Sequence, residues 1–523
     1  TNKCEPSFVE IKEFFDKNLS SRYNKANDQK VWEYVYHQRR KVGIFQFTES
    51  GARKFCEEAK PRNITELAAV TSIFRPGPLK AGVHKMWIDI VSGRKQPEYD
   101  HPLLKEVLEE THGCLLFQEQ FMSLAQRVAG FSPGESDKMR KTLVKKSHDA
   151  TAGKVSERDE IRKKFIEGAV TKNGFTVELA TKVIDTIEYF NAYGFNRSHA
   201  VGYAFDSYYA AWLHTYYEKE WLETILQKES GDPDGLAKTI NEIKEYGYSF
   251  ANADINYSSD DWVYSEDLKA FVPPLGAVKG IGSHAMNEII QQRPYKNLES
   301  VLYDENGEWK PSKINKTAMV ALCKIEALNS LEDFSTGRIK NHRQALQLFE
   351  DSKNYDALKK GYYGLSKSAL KKAMSKGEAP EPILDQNLNR FENLPDWSRG
   401  EKIQNYVELT SSSPTALVFP EDVMNAINSK GLPSALDLEV NTTDIAWFCI
   451  TSAETKKTKK GSPFVKLNIL DNNNKTGNLK VWGKQFDAQA IEPYSLWIAE
   501  VKRDDWGLSA QSWRLKRINV AER

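Results

Sequence analysis

Cysteine is scarce in this 523-residue chain: Cys4, Cys56, Cys114, Cys323 and Cys449 each stand alone. No CxxC pair and no nearby histidine cluster accompanies them, which argues against a structural zinc site and a disulfide framework and points to a reducing compartment. Long apolar runs are also lacking. No stretch approaches the roughly 18 to 20 residues that cross a bilayer, and the opening TNKCEPSF has no signal-peptide pattern, so a soluble, membrane-free protein is expected. Charge of one sign is missing too: 73 Lys and Arg stand against 72 Asp and Glu, leaving a net +1. No global field draws a polyanion to such a chain, so any basic site must be local. Length is present in plenty, enough for about three or four domains at ~150 residues each. The first residue is Thr1 rather than Met, and processing, trimming and separation from a longer polypeptide all stay open.

Apolar spacing divides the chain. Residues 1–250 carry mostly helical periodicity, as in Val177, Leu179, Ala180, Val183, Ile184 and Ile187, interrupted by RPGPL at 75–79 and FSPGESD at 131–137. Residues 251–335 begin with strand-like pieces, DWVYSED and KAFVPPLGAV. Helical segments follow at VKGIGSHAMNEIIQQ and INKTAMVALCKIEALNSL, the second resembling a degenerate copy of the first. Residues 336–442 mix charged helix with Pro-, Ser- and Asn-rich punctuation and are expected to form a loosely constrained connector. In 443–523, the runs DIAWFCITSA, PFVKLNILD, GNLKVWG, LWIAEV and SWRLKRI predict five short strands, suited to an OB-type barrel. The expected fold class is therefore multidomain and mainly α with small β additions: a large helical domain, a tandem helix-hairpin-helix and a C-terminal OB-type β-barrel.

Four places could carry chemistry. The densest basic stretch, DKMRKTLVKKSHDATAGKVSERDEIRKKF at 137–165, sets Arg140, Lys141 and Lys145 at spacings that share a helix face, with Lys146 beside them. Such a face fits phosphate, and a solvated charged surface is the bland alternative. In GAVKGIGSHAMNEII, Gly280 and Gly282 permit the turn that brings backbone amides against a DNA phosphate. Lys279 stands beside them, and an ordinary helical hairpin is the alternative. The terminal barrel combines Trp447, Phe448, Phe464, Trp482, Trp497, Trp506 and Trp513 with Lys456, Lys457, Lys459, Lys460, Lys466 and Lys480, a pairing of stacking platforms and cations that suits single strands. About half of those aromatics are expected to fill the barrel interior.

The fourth place is YGFNRSHAVGYAFDSYYAAWLHTYY at 193–217. Asp and Glu normally favour the first turn of a helix, yet no acid appears here before Asp206. Ser198 is a candidate cap, and Phe205, Tyr209, Trp212 and Tyr216 form a stripe expected to pack. Arg197, His199 and the free amides of the first turn make an anion site that Gly202 leaves open to close approach. Tyr203 is placed to stack on a ring carried by that anion.

With GIFQFTESGARKF at 43–55, LAAVTSIFRPGPL at 67–79, GCLLFQEQFMSLAQRVAGFSPGESDKMRKTLVKKS at 113–147 and FNAYGFNRSHAVGYAFDSYYAAWL at 190–213, the chain resembles the C-family bacterial replicative DNA polymerases, the polymerase III alpha family. NADINYS at 252–258 and LGAVKGIG at 275–282 extend the likeness. The resemblance covers the C-terminal half of that family: fingers, tandem helix-hairpin-helix and OB domain. It implies that Arg53, Arg140, Lys141, Arg197, His199 and Tyr203 handle an incoming dNTP, and that Lys145, Lys146, Lys279, Gly280, Gly282, Lys457, Lys459 and Lys460 contact DNA. Val144 departs from the family pattern, and Arg53 and Lys141 stand where many relatives have Lys and Arg respectively. Arg75 and Gln118, Glu119 and Gln120 of FQEQ belong to family motifs, with packing an open alternative for Arg75.

The family's palm carries aspartates in PDxDxDF-type and KFDxLG-type motifs, and neither occurs in this sequence. The resemblance thus implies the C-terminal subunit of a split polymerase, inactive alone. Its partners would be a palm-bearing chain, which holds most of the Mg2+ ligands, together with primer-template DNA and dNTP, in the cytoplasm of a bacterium or an infected bacterial cell. QALQLF at 344–349 resembles a sliding-clamp peptide, although it lies on a helical pattern. A non-catalytic DNA-binding or regulatory module derived from a polymerase is the alternative, and a fragment of a longer polypeptide is a third.

Overall fold

The computed structural model describes residues 28–144, 157–191, 194–304, 313–363, 391–410, 415–458, 461–472, 475–483 and 487–520, with single positions at 368, 372 and 376. The chain forms two compact units, Thr1–Leu222 and Glu223–Arg523. Among the described residues no helix is long and apolar enough to cross a membrane.

In the first unit, helices α1 (Ser50–Ala59), α2 (Ile64–Ile73), α3 (Val83–Val91), α4 (Gln118–Ala129), α5 (Pro133–Val144), α6 (Glu157–Asn173), α7 (Val177–Asn191) and α8 (Arg197–Tyr216) carry the architecture. Helix α2 is apolar nearly all round and is buried accordingly. Asn63 caps it, its side chain accepting from the Glu66 amide at 2.9 Å, and the RPGP turn stops it. The small residues Ala68 and Ala69 on α2 and Ala200, Ala204 and Ala211 on α8 are all buried where these two helices pack. A second core joins α4, α5, α6 and α7 through Phe121, Leu124, Met139, Phe165 and Ile184. The periodicity read in Val177 to Ile187 is borne out as α7.

The second unit opens its β structure with β1 (Ser249–Phe250), β2 (Val263–Ser265) and β3 (Ala270–Val272) in the order β1-β3-β2. Then come α9 (Ser283–Gln292), α10 (Leu298–Leu302) and α11 (Lys316–Lys324). The stretch expected to be a loose connector differs in its described parts. Helices α12 (His342–Tyr363) and α13 (Arg399–Thr410) send Ala345, Leu348, Phe349 and Tyr406 into the same core as α9 and α11. QALQLF lies on α12, with Gln344, Ala345, Leu348 and Phe349 all buried. The segment is thus helical rather than extended, and an extended peptide could be offered here only by unfolding α12 out of its core.

The terminal sheet contains β4 (Thr442–Lys457), β5 (Pro463–Leu470), β6 (Thr476–Trp482), β7 (Ser495–Asp504), β8 (Gly507–Gln511) and β9 (Lys516–Arg517). Its order is β4-β5-β6-β8-β7, closed by β4 pairing with β7, and β6 and β8 run parallel. This is the five-stranded closed arrangement of an OB-type barrel. The fifth barrel strand is GLSAQ. SWRLKRI, expected to be that strand, instead makes a 3-10 turn at Ser512–Arg514 and the short β9.

Candidate functional site

The stretch before α4 and the stretch before α8 meet at a parallel bridge between Phe117 and Phe195. Phe195 donates its amide to Leu116 O at 2.9 Å, and Gln118 donates its own to Phe195 O at 3.0 Å. Gln120, buried at the base of α4, accepts from the Leu116 and Phe117 amides at 2.9 and 3.0 Å and donates to Thr111 Oγ1 at 2.8 Å. The last Gln of FQEQ is therefore a structural tie, and the bridge fixes where Gln118 and Glu119 stand.

Those two residues gather the cations. Gln118 donates to Gly194 O at 3.0 Å and accepts from Arg140 at 3.3 Å, while Arg140 also binds Asp137 Oδ1 at 2.8 Å. Lys141, one residue on, reaches Asp137 Oδ2 at 2.6 Å. Hydrogen bonds from Lys141 and then Arg140 hold the Asp137 carboxyl below its ordinary range. Glu119 accepts from the Arg197 amide at 2.9 Å and from the Asn196 side chain at 3.1 Å. The Arg197 guanidinium pairs with Glu110 and lies 5.9 Å from the Phe117 ring centroid.

The start of α8 thus differs from its sequence reading in two ways. Asn196, not Ser198, is the cap, its side chain accepting from the His199 amide at 2.9 Å. The missing first-turn acid is supplied by Glu119 from α4, so the positive helix end already faces a carboxylate. The His199 ring is tilted against those of Tyr203 and Phe195, with centroids 3.9 and 5.5 Å away, and Tyr203 meets Phe45 edge-on at 5.0 Å. Of the expected packing stripe, Trp212 is buried, Phe205 and Tyr209 are half-buried and Tyr216 is exposed. Arg53 on α1 donates to Phe47 O at 3.1 Å and Thr48 O at 2.6 Å, which ties it to the loop that carries Phe45.

In the second unit Gly280 takes φ +98, a left-handed backbone, and a Cβ there would stand 3.3 Å from Thr317 on α11. The positive φ favours glycine for the turn, and the missing Cβ also leaves the approach to α11 uncrowded. Gly282 opens α9 with free space around it. The Lys279 side chain is exposed, but its amide is already taken by Leu409 O at 2.7 Å. On the barrel, β5 and β6 align Lys466 with Lys480 and Asn468 with Asn478, with the Phe464 and Trp482 rings 5.1 Å apart. An open groove of 650 Å³ lies here, lined in part by Phe464, Lys466, Lys480, Arg503 and Trp506. Trp506 is 85% exposed, whereas Trp447 and Phe448 are core. Lys457 ends β4 exposed. Lys145, Lys146, Lys459 and Lys460 lie outside the described residues.

The sequence did not single out Glu110. Its pairing with Arg197 spans 87 residues, and no local spacing signals it. Among the described residues no group of three or more His, Cys, Asp or Glu comes together to hold a metal ion.

Residues 8–173 match the bacterial DNA polymerase III alpha subunit finger domain, and residues 247–337 match a helix-hairpin-helix motif. The chain is 34% identical over 373 residues to the DNA polymerase III subunit alpha of Buchnera aphidicola subsp. Schizaphis graminum, covering 70% of this chain and 30% of the relative. With the corresponding subunit of Aquifex aeolicus the identity is 29% over 453 residues, 86% of this chain and 35% of the relative. With that of Vibrio cholerae it is 26% over 476 residues, 88% and 38%. The chain spans about a third of the length of these curated relatives. Two family matches, and relatives aligned along most of the chain, support its assignment to the C-terminal region of the C-family DNA polymerase III alpha proteins.

Proposed function

We propose that this chain serves template-directed DNA synthesis in the bacterial cytoplasm as the fingers and DNA-gripping part of a replicative polymerase. In this reading Arg140, Lys141, Arg197 and His199 bind the triphosphate of an incoming dNTP, with Arg53 supporting the adjoining loop and Tyr203 beside the base. The single observation that carries it is the Phe117 to Phe195 bridge. It sets Arg140 and Arg197 on the neighbouring residues Gln118 and Glu119, within a stretch similar to a polymerase finger domain.

Both arginines are held by carboxylates that a triphosphate can replace. The side chains of Arg197 and Glu110 are 36% and 58% exposed. Pairs exposed to this degree contribute about 0 to 1 kcal/mol, whereas a triphosphate offers several charges and bidentate geometry. The helix-hairpin-helix would grip duplex backbone through amides at the start of α9, and the barrel groove would hold a single strand on Trp506 and its lysines.

Mg2+, which phosphoryl transfer requires, does not fit this part of the protein. Glu110 and Asp137 are engaged with cations and Glu119 with a helix start. The metal-holding carboxylates are assigned to a palm outside these 523 residues, met in the test as a separate chain.

The test is primer extension. This chain mixed with a palm-bearing polymerase III alpha chain should extend a primer, and neither should do so alone. Arg197→Ala and Arg140→Ala should each raise the dNTP KM about tenfold or more, and Glu110→Gln, which releases Arg197, should lower it a few-fold. Tight association without extension, or a KM indifferent to both arginines, would leave a non-catalytic DNA-binding module as the function.

A further inference from the structure

Arg75 is the cation at this site that neither the spacing of basic residues nor the carboxylate network accounts for. It precedes Pro76, and a residue before proline is kept out of the helical region. Its backbone is accordingly extended, at φ −133 and ψ 151. The amide is tied to Ile73 O at 2.8 Å and the carbonyl accepts from Leu79 at 3.0 Å. Pro76 starts the short helix Pro76–Lys80 and Pro78 is buried within it, so the turn aims the side chain from a fixed base.

The guanidinium carbon rests 5.1 Å from the centroid of the Phe195 ring. Phe195 belongs to the bridge that organises the site, and its ring is 5.5 Å from that of His199. Arg140 is engaged with Asp137, Arg197 with Glu110, and Arg53 with backbone carbonyls. Among the described residues Arg75 forms no ion pair, and it is half-buried rather than sealed. A guanidinium parked on an aromatic face keeps its forked donors for an oxyanion, and it gives up less to bind one than an arginine already held by a carboxylate.

We propose that Arg75 is a further triphosphate-binding residue, contacting the polyphosphate of the incoming nucleotide from its seat on Phe195 before Arg140 and Arg197 exchange their carboxylates for it. This rests on the nucleotide-binding reading of the first unit. It differs from that reading in naming the residue that makes first contact.

The experiment uses the full 523-residue chain and arginine modification by phenylglyoxal, read residue by residue by mass spectrometry, with dATP or inorganic tripolyphosphate as the probe. Arg75 should react faster than Arg140 and Arg197 in the free chain, and both probes should slow it severalfold. In a dATP titration Arg75→Ala should weaken binding about tenfold. Arg75→Lys should restore part of the loss, with the thermal midpoint of both variants close to that of the parent. If Arg140 and Arg197 are protected while Arg75 is not, Arg75 has no such role and the nucleotide reading survives. If none of the three is protected by either probe, both fail. Protection of Arg75 without any loss of affinity in the Ala variant would also overturn the proposal. Should that variant be unfolded, Arg75→Lys and the protection of the parent chain decide.

Discussion

At the start of α8 the Arg197 amide donates to a Glu119 carboxylate oxygen at 2.9 Å. An Arg and a His ahead of a helix stand out against the ordinary preference for acids there, and that contrast pointed to the candidate site. The carboxylate that resolves it comes from α4, 78 positions away, and long-range pairing leaves no trace in spacing. His214 is a similar case, because its place on α8 is evident but its confinement is not. Its side chain is fully buried, 3.9 Å from a Glu218 carboxylate oxygen, with Arg40 bound to that same oxygen at 2.6 Å. Burial pushes its pKa down to about 4, against a smaller upward pull from Glu218. In the unfolded chain the imidazole titrates near ~6.5, so between these values the unfolded state binds more protons. The stability tied to keeping this ring neutral is therefore complete above the unfolded pKa and is lost as pH falls toward the folded one. From pH 7 to 5 the loss is about 2 kcal/mol. Urea unfolding of the first unit at the two pH values measures it, and His214→Gln should show a correspondingly smaller drop. An equal drop in parent and variant would assign the pH dependence to other groups.

Elements were most legible where periodicity was strong and least where backbone geometry decided the outcome. Helix α7 followed from its apolar spacing, and the barrel from its alternating strands. GLSAQ, with small residues and little β-branching, gives weak strand propensity, yet it pairs with both β6 and β7 because barrel closure needs a strand there. SWRLKRI has a convincing pattern but begins with a turn. Gly168, in the middle of α6, reads in sequence only as a weak spot in a helix. In the fold it marks where α6 crosses the end of α4: a Cβ there would stand 2.1 Å from Ala129 O, a backbone atom that cannot rotate away. Gly168→Ala should therefore push the two helices apart and destabilise the first unit by about 1 to 3 kcal/mol. Gly134→Ala on α5, where the added methyl meets open space, is the control, and its effect should be neutral or mildly stabilising. Thermal unfolding of the two variants side by side checks this. Equal midpoints would mean that the α4 to α6 approach is slack.

At the scale of the whole molecule, the net charge of +1 means that the proposed DNA binding would have to be assembled from local patches, so each patch should be separable by its response to salt. The barrel groove offers two kinds of contact. Lys466 and Lys480 lie side by side across β5 and β6, while Trp506 projects from the β7 to β8 turn, where its carbonyl accepts from Lys480 at 3.0 Å. Phosphate neutralisation releases counterions and base stacking does not, so the two contributions have different salt signatures. Replacing both lysines with Gln should flatten the log affinity against log salt slope for an oligothymidylate by about 1.4, at ~0.7 per phosphate contact on a single strand. Trp506→Ala should cost about 1 to 3 kcal/mol of affinity and leave the slope unchanged. Fluorescence anisotropy across a salt series measures both. If the lysine variant keeps the parent slope, the groove does not hold the phosphate backbone. If the Trp506 variant alters the slope instead of the intercept, the exposed indole acts by placing Lys480 rather than by stacking on a base.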